Sequence, residues 1–215
     1  RIRAPGPRRA ARAVRWIASV ALVCLAPVAA QAQAAAEFDY CLVCHGAEAR
    51  GNPVIGAPDL AVLEPAYVRR QLEAYRAGWR GAHDEDPFGP EMRAIAAVLD
   101  EEQSIRAAAW ISAFEAVRSR PTVTGDIERG ARLYGNCAGC HGNAGEGNEA
   151  LASPRLSGQS DWYLFRQMTA YRSGWRGADP KDRPGSQMRA LAATLEDEAD
   201  LRDLVAYINT LDPTQ

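Results

Sequence analysis

Cys41-Leu42-Val43-Cys44-His45-Gly46 is followed, 96 residues later, by Cys137-Ala138-Gly139-Cys140-His141-Gly142. In both stretches two residues separate a pair of cysteines, and a histidine and a glycine follow the second cysteine directly. The surrounding chain repeats at the same spacing, so that Gly78-Trp79-Arg80-Gly81-Ala82 matches Gly174-Trp175-Arg176-Gly177-Ala178. Two copies of a unit this long indicate a duplicated domain rather than a solenoid.

The duplication predicts two similar domains in tandem. We assign residues 35–117 to the first domain and residues 126–215 to the second. The segment 118–125 between them is polar and contains a proline and a glycine, which is typical of a linker. Residues 1–34 stand before the repeat and are assigned to a signal peptide.

The composition favours an all-α fold for both domains. Hydrophobic residues make up 47% of the chain and charged residues 24%, as in globular proteins. Ala, Arg, Leu and Glu dominate, and these residues favour helices. We predict helices at 126–136, Glu64–Trp79, 101–116 and 197–211, and we find no hairpin or alternating-strand signal.

The first 34 residues have the features of an export signal. Positions 1–15 contain six arginines and no acidic residue, an apolar stretch follows, and Ala32-Gln33-Ala34 offers a small-residue cleavage pattern. The apolar stretch is shorter than the roughly 20 residues of a spanning helix, and Pro27 interrupts it, which disfavours a retained anchor. Cys24 would matter only if it carried a lipid. We therefore expect a periplasmic protein, cleaved after or shortly before Ala34.

The two domains differ in net charge, and the overall charge limits which binding partners are plausible. Without the six leader arginines, 19 basic residues remain against 27 acidic ones, a net charge of about −8 that disfavours nucleic-acid binding. Residues 35–117 contain 14 acidic and 7 basic residues, whereas residues 118–215 contain 13 and 12. We hypothesise that the first domain docks a basic protein and the second a more neutral one, with at most peripheral membrane association.

The Cys-x-x-Cys-His motif is the attachment signature of c-type haem. Two thiols at this spacing can bond to the two vinyl groups of one haem, and the adjacent imidazole can bind its iron. We therefore assign Cys41, Cys44, Cys137 and Cys140 to two covalently bound haem c groups, with His45 and His141 as iron ligands. A thioredoxin-like pair or half of a zinc site are alternatives, but neither requires a histidine directly after the second cysteine.

Two methionines are candidates for the sixth iron ligand. Met92 and Met188 occupy matching repeat positions, and each follows its own motif histidine by 47 residues. Both come after segments rich in glycine and proline, so we expect each to lie on a loop that reaches over the haem. Met168 lies on an apolar helix stripe and is expected to pack in the core. His83 is expected to be a solvated loop residue, with iron ligation as the alternative.

Further residues recur in both repeats without a unique interpretation. Trp79, Arg80, Trp175 and Arg176 could hydrogen-bond the haem propionates, or they could be core tryptophans with surface arginines. We expect Tyr67, Tyr75, Tyr163 and Tyr171 to pack in helices around the haem.

The two-repeat plan resembles the dihaem cytochrome c4 family, which is built of two tandem class I cytochrome c domains. The second half carries the resemblance most clearly, through residues 137–142, Pro154-Arg155-Leu156-Ser157-Gly158-Gln159, Tyr163-Leu164 and Met188. In the first repeat, Ala61-Val62-Leu63-Glu64 departs from this pattern. The resemblance implies that Cys41, Cys44, Cys137 and Cys140 hold haem, and that His45, Met92, His141 and Met188 ligate iron.

The same resemblance implies a periplasmic carrier of single electrons between respiratory partners, with a terminal oxidase as the expected acceptor. The principal alternative is the haem-bearing electron-acceptor subunit of a complex such as flavocytochrome c sulfide dehydrogenase. A dihaem enzyme, such as a peroxidase, or a gas or redox sensor would need an open iron position, which the two matched methionines disfavour. We therefore predict an electron carrier rather than an enzyme.

Overall fold

The computed structural model describes residues 37–212. The predicted signal peptide, its cleavage site and Cys24 lie outside the described residues. The described chain is helical and contains isolated β-bridges but no strand. Within it, no helix is both long and apolar enough to span a membrane.

Between residues 40 and 208 of the described chain, eight α-helices form two similar groups of four. They are α1 (Tyr40–His45), α2 (Pro65–Arg76), α3 (Gly89–Ala97), α4 (Glu101–Ile111), α5 (Ile127–His141), α6 (Asp161–Arg172), α7 (Arg183–Ala192) and α8 (Glu198–Ile208). A short 3₁₀ turn follows the first helix of each group, at Ala47–Ala49 and Glu149–Leu151. In the first group α2 packs on α3 and α4, and in the second α6 packs on α7 and α8.

The predicted helices exist, with changed ends. Helix α2 begins at Pro65, whose fixed φ suits a first turn, and it ends at Arg76, before the predicted Trp79. Helix α4 begins with a capping box between Asp100 and Gln103. Helix α5 continues beyond residue 136 through the whole second Cys motif to His141, because nothing in that motif interrupts a helix.

The prediction that Met92 and Met188 lie on loops was wrong. Met92 lies within α3 and Met188 within α7. The prolines and glycines before them form helix N-termini rather than loops, since Pro90 and Pro184 occupy first-turn positions that need no donated N–H. Each methionine is therefore carried by a regular helix, and packing of that helix on α2 or α6 positions the thioether.

Each group of helices encloses its own apolar core. Large side chains at the centre of the first core include Phe38, Val68 and Leu72, and those of the second include Leu201, Leu204 and Val205. The domain boundaries drawn from the repeat stay predictions. The segment 118–125 contains no helix.

The second core also uses a close crossing of α5 and α8. Gly130 faces the backbone of Asp203, and a side-chain carbon at this position would collide with the Asp203 carbonyl. The Arg129 guanidinium forms ion pairs with Asp200 and Asp203 beside the crossing. The corresponding helix of the first domain is only six residues long.

Helices α2 and α6 supply paired contacts across the interface between the domains. Arg70 donates to the Ala152 carbonyl (2.9 Å), and its repeat partner Arg166 donates to the Gly56 carbonyl (2.5 Å). Residues 56 and 152 are themselves repeat partners. The interface is therefore pseudo-symmetric, with each domain supplying the same donor and the same acceptor to the other.

Asp161 fixes the segment that joins the domains. Its side chain, 1% exposed, accepts hydrogen bonds from the backbone N–H groups of Thr122 and Val123, the Thr122 hydroxyl (2.8 Å) and Asn209 Nδ2 (3.1 Å). Burial alone would raise the pKa of Asp161, but these donors outweigh it and the net pKa is lowered. The carboxylate is therefore held in its charged form.

We expect Asp161→Asn to lower the free energy of unfolding at pH 7 by about 2 kcal/mol, because an amide cannot accept from all these donors. A depressed carboxyl pKa contributes stability above the unfolded value, and this contribution is lost as pH falls through the folded pKa. Urea titrations from pH 7 downward should show the wild-type advantage shrinking. An advantage that is independent of pH would contradict this assignment.

Candidate functional site

Both motif histidines stand at the last position of a helix. Gly46 and Gly142 follow them with φ of 76° and 81°, a left-handed conformation that glycine adopts without steric cost. The chain therefore leaves each helix immediately after the histidine, whose side chain is buried: His45 is 6% exposed and His141 3%.

A proline carbonyl fixes the orientation of each imidazole. His45 Nδ1 lies 2.9 Å from the Pro58 carbonyl oxygen, and His141 Nδ1 lies 2.8 Å from that of Pro154. Because a carbonyl can only accept, Nδ1 must carry the proton and donate. Burial lowers the pKa of both histidines, although the carbonyl bond partly opposes it. Each ring is thus favoured as neutral imidazole with its free lone pair on Nε2.

In the second domain the predicted ligand atoms face each other. His141 Nε2 lies 3.5 Å from Met188 Sδ, although 47 residues separate them in sequence. In the first domain Met92 and His45 line the same cavity. The structure therefore brings each histidine together with the methionine of its own repeat, and ligation by these four residues remains a prediction.

A largely apolar cavity surrounds each pair. The first measures about 410 Å³ and contains Cys41 and Cys44 in its lining, and the second measures about 280 Å³ and contains Cys137 and Cys140. These volumes lie near the lower end of cofactor pockets, roughly 300–1,000 Å³. In both cavities the thiols, the imidazole and the thioether border one space, as covalent attachment and axial ligation of a haem would require.

The alternatives considered for the cysteines fit poorly. Burial raises the pKa of Cys41 and of Cys137 to about 11, with a smaller effect from the neighbouring cysteine, whereas thioredoxin-like pairs need a stabilised thiolate. Within residues 37–212, no three His, Cys, Asp or Glu side chains are grouped closely enough to hold a metal ion. The two cysteine pairs therefore do not converge on one zinc site.

The cavities meet at a pair of buried arginines. Arg80 and Arg176 form an antiparallel bridge, both are under 10% exposed, and Arg176 lines both cavities. Arg80 donates to Tyr163 (3.0 Å) and Gln167 (2.8 Å) of the second domain. Arg176 donates to Tyr67 (2.9 Å) and Gln71 (2.8 Å) of the first domain. The expectation that Tyr67 and Tyr163 only pack in helices was therefore incomplete, since both hydroxyls accept across the interface.

These arginines fit a site for carboxylates. Among residues 37–212 neither guanidinium forms an ion pair with an acidic side chain, and Arg176 Nε is buried without a hydrogen-bond partner. Two buried cations require anionic or polar partners. The propionates of haems held by the two cavities are anions that this arrangement suits, which favours the propionate interpretation of the arginines over surface arginines.

The remaining predicted residues have mixed outcomes. Trp79 lines the second cavity and Trp175 the first, so each indole reaches the cavity of the other domain, and Trp175 Nε1 donates to Glu85 (3.1 Å). Met168 packs against the second core and also lines its cavity. His83 is exposed and accepts a hydrogen bond from the Glu85 backbone (3.2 Å).

Sequence reasoning missed the cross-domain acceptors. Gln71 and Gln167 each bind both buried arginines, at 2.7 and 2.8 Å. Their identity at matching repeat positions was the available signal, but it does not reveal that the partner lies in the other domain. Two domains of this kind, each with a Cys-x-x-Cys-His cavity and a facing methionine, define a dihaem c-type cytochrome.

Comparisons with known proteins agree with this class. The family model described as Cytochrome c matches residues 127–212. The thiosulfate dehydrogenase electron acceptor of Stutzerimonas stutzeri is 36% identical, over 71% of this chain and 72% of its own. Cytochrome c4 of Azotobacter vinelandii is 31% identical, over 80% and 84%.

A solved structure also has a similar fold. The thiosulfate dehydrogenase TsdBA from Marichromatium purpuratum is 32% identical and superimposes with a TM-score of 0.65, covering 81% of this chain. This chain spans only 37% of that longer protein. The chain belongs to the dihaem cytochrome c4 family, and its cofactors are two covalent haem c groups, which supply one-electron Fe(III)/Fe(II) couples.

We expect Met188→Ala to open the second iron. If the Met92 and Met188 thioethers ligate the two irons as predicted, the reduced wild-type protein should not bind carbon monoxide. Reduced Met188→Ala should bind it with about half of the haem, since only one of two sites is opened. The spectral change on adding the gas measures this.

Met168→Leu is the matched control, because it lines the same cavity and carries the residue found at position 72 in the first repeat. Carbon monoxide binding by Met168→Leu but not by Met188→Ala would exclude Met188 as the ligand.

Asp59 gives a further prediction close to the first cavity. Its side chain is fully buried, Oδ1 accepts from the Ala61 N–H (2.9 Å), and Oδ2 has no partner among the described residues. Burial raises the pKa of Asp59 to about 6, so the folded state binds a proton that the unfolded state releases. Stability from this group is present at low pH and is lost as pH rises through about 6.

Asp59→Asn should therefore unfold at a higher temperature than wild type at pH 8 but not at pH 4, because the amide never has to bury a charge. The gain at pH 8 is expected to be about 1–2 kcal/mol. Thermal unfolding of both proteins at the two pH values tests this. A variant less stable than wild type at pH 8 would contradict it.

Proposed function

We propose that this protein is a periplasmic carrier that accepts single electrons from a thiosulfate dehydrogenase and passes them to a second redox protein, such as a terminal oxidase. The observation that carries the proposal is the meeting of two haem cavities at one interface. Arg176, Gln71 and Gln167 border both cavities. The two redox centres are therefore separated by a single layer of shared side chains.

The side chains around the cavities support carriage rather than catalysis. Each motif histidine shares a cavity with the methionine of its own repeat, and His83, the remaining histidine of the described residues, lies in an exposed loop. A peroxidase-type reaction requires an open iron and a nearby acid–base group. The chain's residues instead fix the ligands, exclude water with an apolar lining and place the cavities side by side, which suits outer-sphere transfer.

The choice of donor rests on the relatives. Two carry the name thiosulfate dehydrogenase electron acceptor, from Stutzerimonas stutzeri and Thiomonas intermedia. These names favour a thiosulfate dehydrogenase over the flavin-dependent sulfide dehydrogenase considered from the sequence. Periplasmic localisation is supported by the predicted export signal and by the attachment motifs, and fractionation of the expressing cells tests it.

The alternative, that this protein is a permanent electron-acceptor subunit of an enzyme complex, has one specific observation in its favour. TsdBA matches this chain over 37% of its own length, so a similar unit exists within a longer thiosulfate dehydrogenase chain. Size-exclusion chromatography of this protein with a thiosulfate dehydrogenase distinguishes the two cases. Stable co-elution indicates a subunit, and separate elution with fast electron transfer indicates a free carrier.

Stopped-flow reduction tests the proposed function. Oxidised protein is mixed with a catalytic amount of thiosulfate dehydrogenase and excess thiosulfate, and the haem absorbance is followed. We expect full reduction of both haems, two electrons per chain, because neither iron is withheld from transfer. Reduction no faster than with thiosulfate alone would contradict the proposal.

A further inference from the structure

Exposed apolar side chains gather around the opening of the first cavity. We define the apolar rim as Tyr40, Val43, Val54, Ile55, Ile95 and Val98. The most exposed are Val54 at 91%, Val43 at 78% and Val98 at 74%. Tyr40, Ile55 and Ile95 line the cavity itself, and Val43, Val54 and Val98 each directly adjoin a lining residue in sequence, so we place the rim at the cavity mouth. Scattered apolar residues are normal on a surface, but a group around a cofactor cavity calls for a cause.

The second repeat shows that neither the fold nor haem binding needs this rim. The equivalent positions hold Asn136, Gly139, Ala150, Leu151, Leu191 and Thr194. Only Leu151 among them is a large and well exposed apolar residue. Both cavities carry the same Cys, His and Met set, so the apolar rim serves a purpose that only the first domain has.

Charge indicates the kind of partner. Glu91 is exposed on α3 and lines the first cavity, whereas its repeat partner is the neutral Gln187. Asp39 adjoins Tyr40 and is exposed, whereas its repeat partner is Gly135. Glu85 likewise corresponds to Lys181. The surroundings of the rim are therefore more acidic than the same positions of the second domain, although Arg93 is also exposed on α3, and the matching surface of a partner should be basic.

The extent of the rim favours a brief encounter. Six side chains on one domain are on the scale of transient electron-transfer contacts, which bury less than about 1,200 Å² in total, whereas obligate homodimers bury more than about 2,000 Å². A second copy of this chain would also bring two acidic surfaces together, which costs energy. Both points favour a different protein over self-association.

We propose that the apolar rim of the first domain is the docking surface for a redox protein whose own cofactor opening carries an apolar patch bordered by basic side chains. This inference rests on the proposed electron-carrier function and names the domain at which one partner binds. Apolar contact there brings the partner to the cavity mouth with water excluded, and the acids steer its approach.

The test replaces rim residues that do not line the cavity. Val43→Thr, Val54→Thr and Val98→Thr are combined, because threonine keeps the shape of valine and is the residue at the repeat position of Val98. Electron exchange with a basic mitochondrial-type cytochrome c, used as the probe, is followed by stopped flow. We expect the second-order rate to fall about fivefold or more, because three apolar contacts are lost.

Matched variants keep the result specific. Ile105→Thr, Val117→Thr and Ile127→Thr together remove three exposed apolar side chains elsewhere on the surface, and this triple variant should exchange electrons like wild type. Glu91→Gln, which installs the residue of the second repeat, should slow exchange mainly at low ionic strength. The small cation hexaammineruthenium should reduce all variants at similar rates, which shows that the haems are intact.

Other outcomes overturn the inference. An unchanged rate in the rim variant, or slowing by Leu151→Thr at the second cavity alone, would place docking elsewhere. Sedimentation showing a wild-type dimer that the rim variant converts to monomer would assign the rim to a second copy. These results do not depend on thiosulfate, so the proposed donor and the docking surface can fail separately.

Discussion

The hydrogen bond from a histidine Nδ1 to a proline carbonyl is the interaction on which each haem cavity depends. It joins the end of the motif helix to a loop residue 13 positions later, Pro58 in one domain and Pro154 in the other. The bond sets the tautomer, so Nε2 keeps its lone pair, and it aims the ring into the cavity. The glycine after each histidine lets the chain turn back towards that proline. The same hydrogen bond therefore determines both the protonation of the histidine and the path of the loop that carries the proline.

The buried arginines couple the two cavities. A guanidinium in a protein interior is tolerated only when its donors are satisfied, and here most acceptors come from the opposite domain. Arg80 depends on Tyr163 and Gln167, and Arg176 depends on Tyr67 and Gln71. Neither domain can satisfy its own arginine fully, so the interface holds the two cavities in one arrangement. The relative placement of the two haem cavities thus depends on the same contacts that join the domains.

Because the domain is duplicated, features that both halves need can be distinguished from features that only one half has. Both halves retain the Cys, His and Met set that lines the haem cavities and the paired Arg, Gln and Tyr residues that form the interface. The halves differ in three features: the rim and acids of the first domain, the longer leading helix of the second, and Asp161, which replaces Pro65 and binds the linker. An asymmetric surface on a symmetric scaffold gives one carrier two distinguishable faces.

The sequence by itself determined the class of this protein, its helical fold, its two haem cofactors and the residues that meet in each cavity. These follow from local chemistry, because Cys-x-x-Cys-His has few other uses and a repeat marks its own matching positions. Only the tertiary structure decided that both methionines lie on helices, because proline and glycine serve helix N-termini as well as loops. It also decided that Tyr67, Tyr163 and the two glutamines act across the interface, and that each tryptophan reaches the opposite cavity. Sequence spacing measures separation along one chain, and it holds no information on which domain a side chain faces.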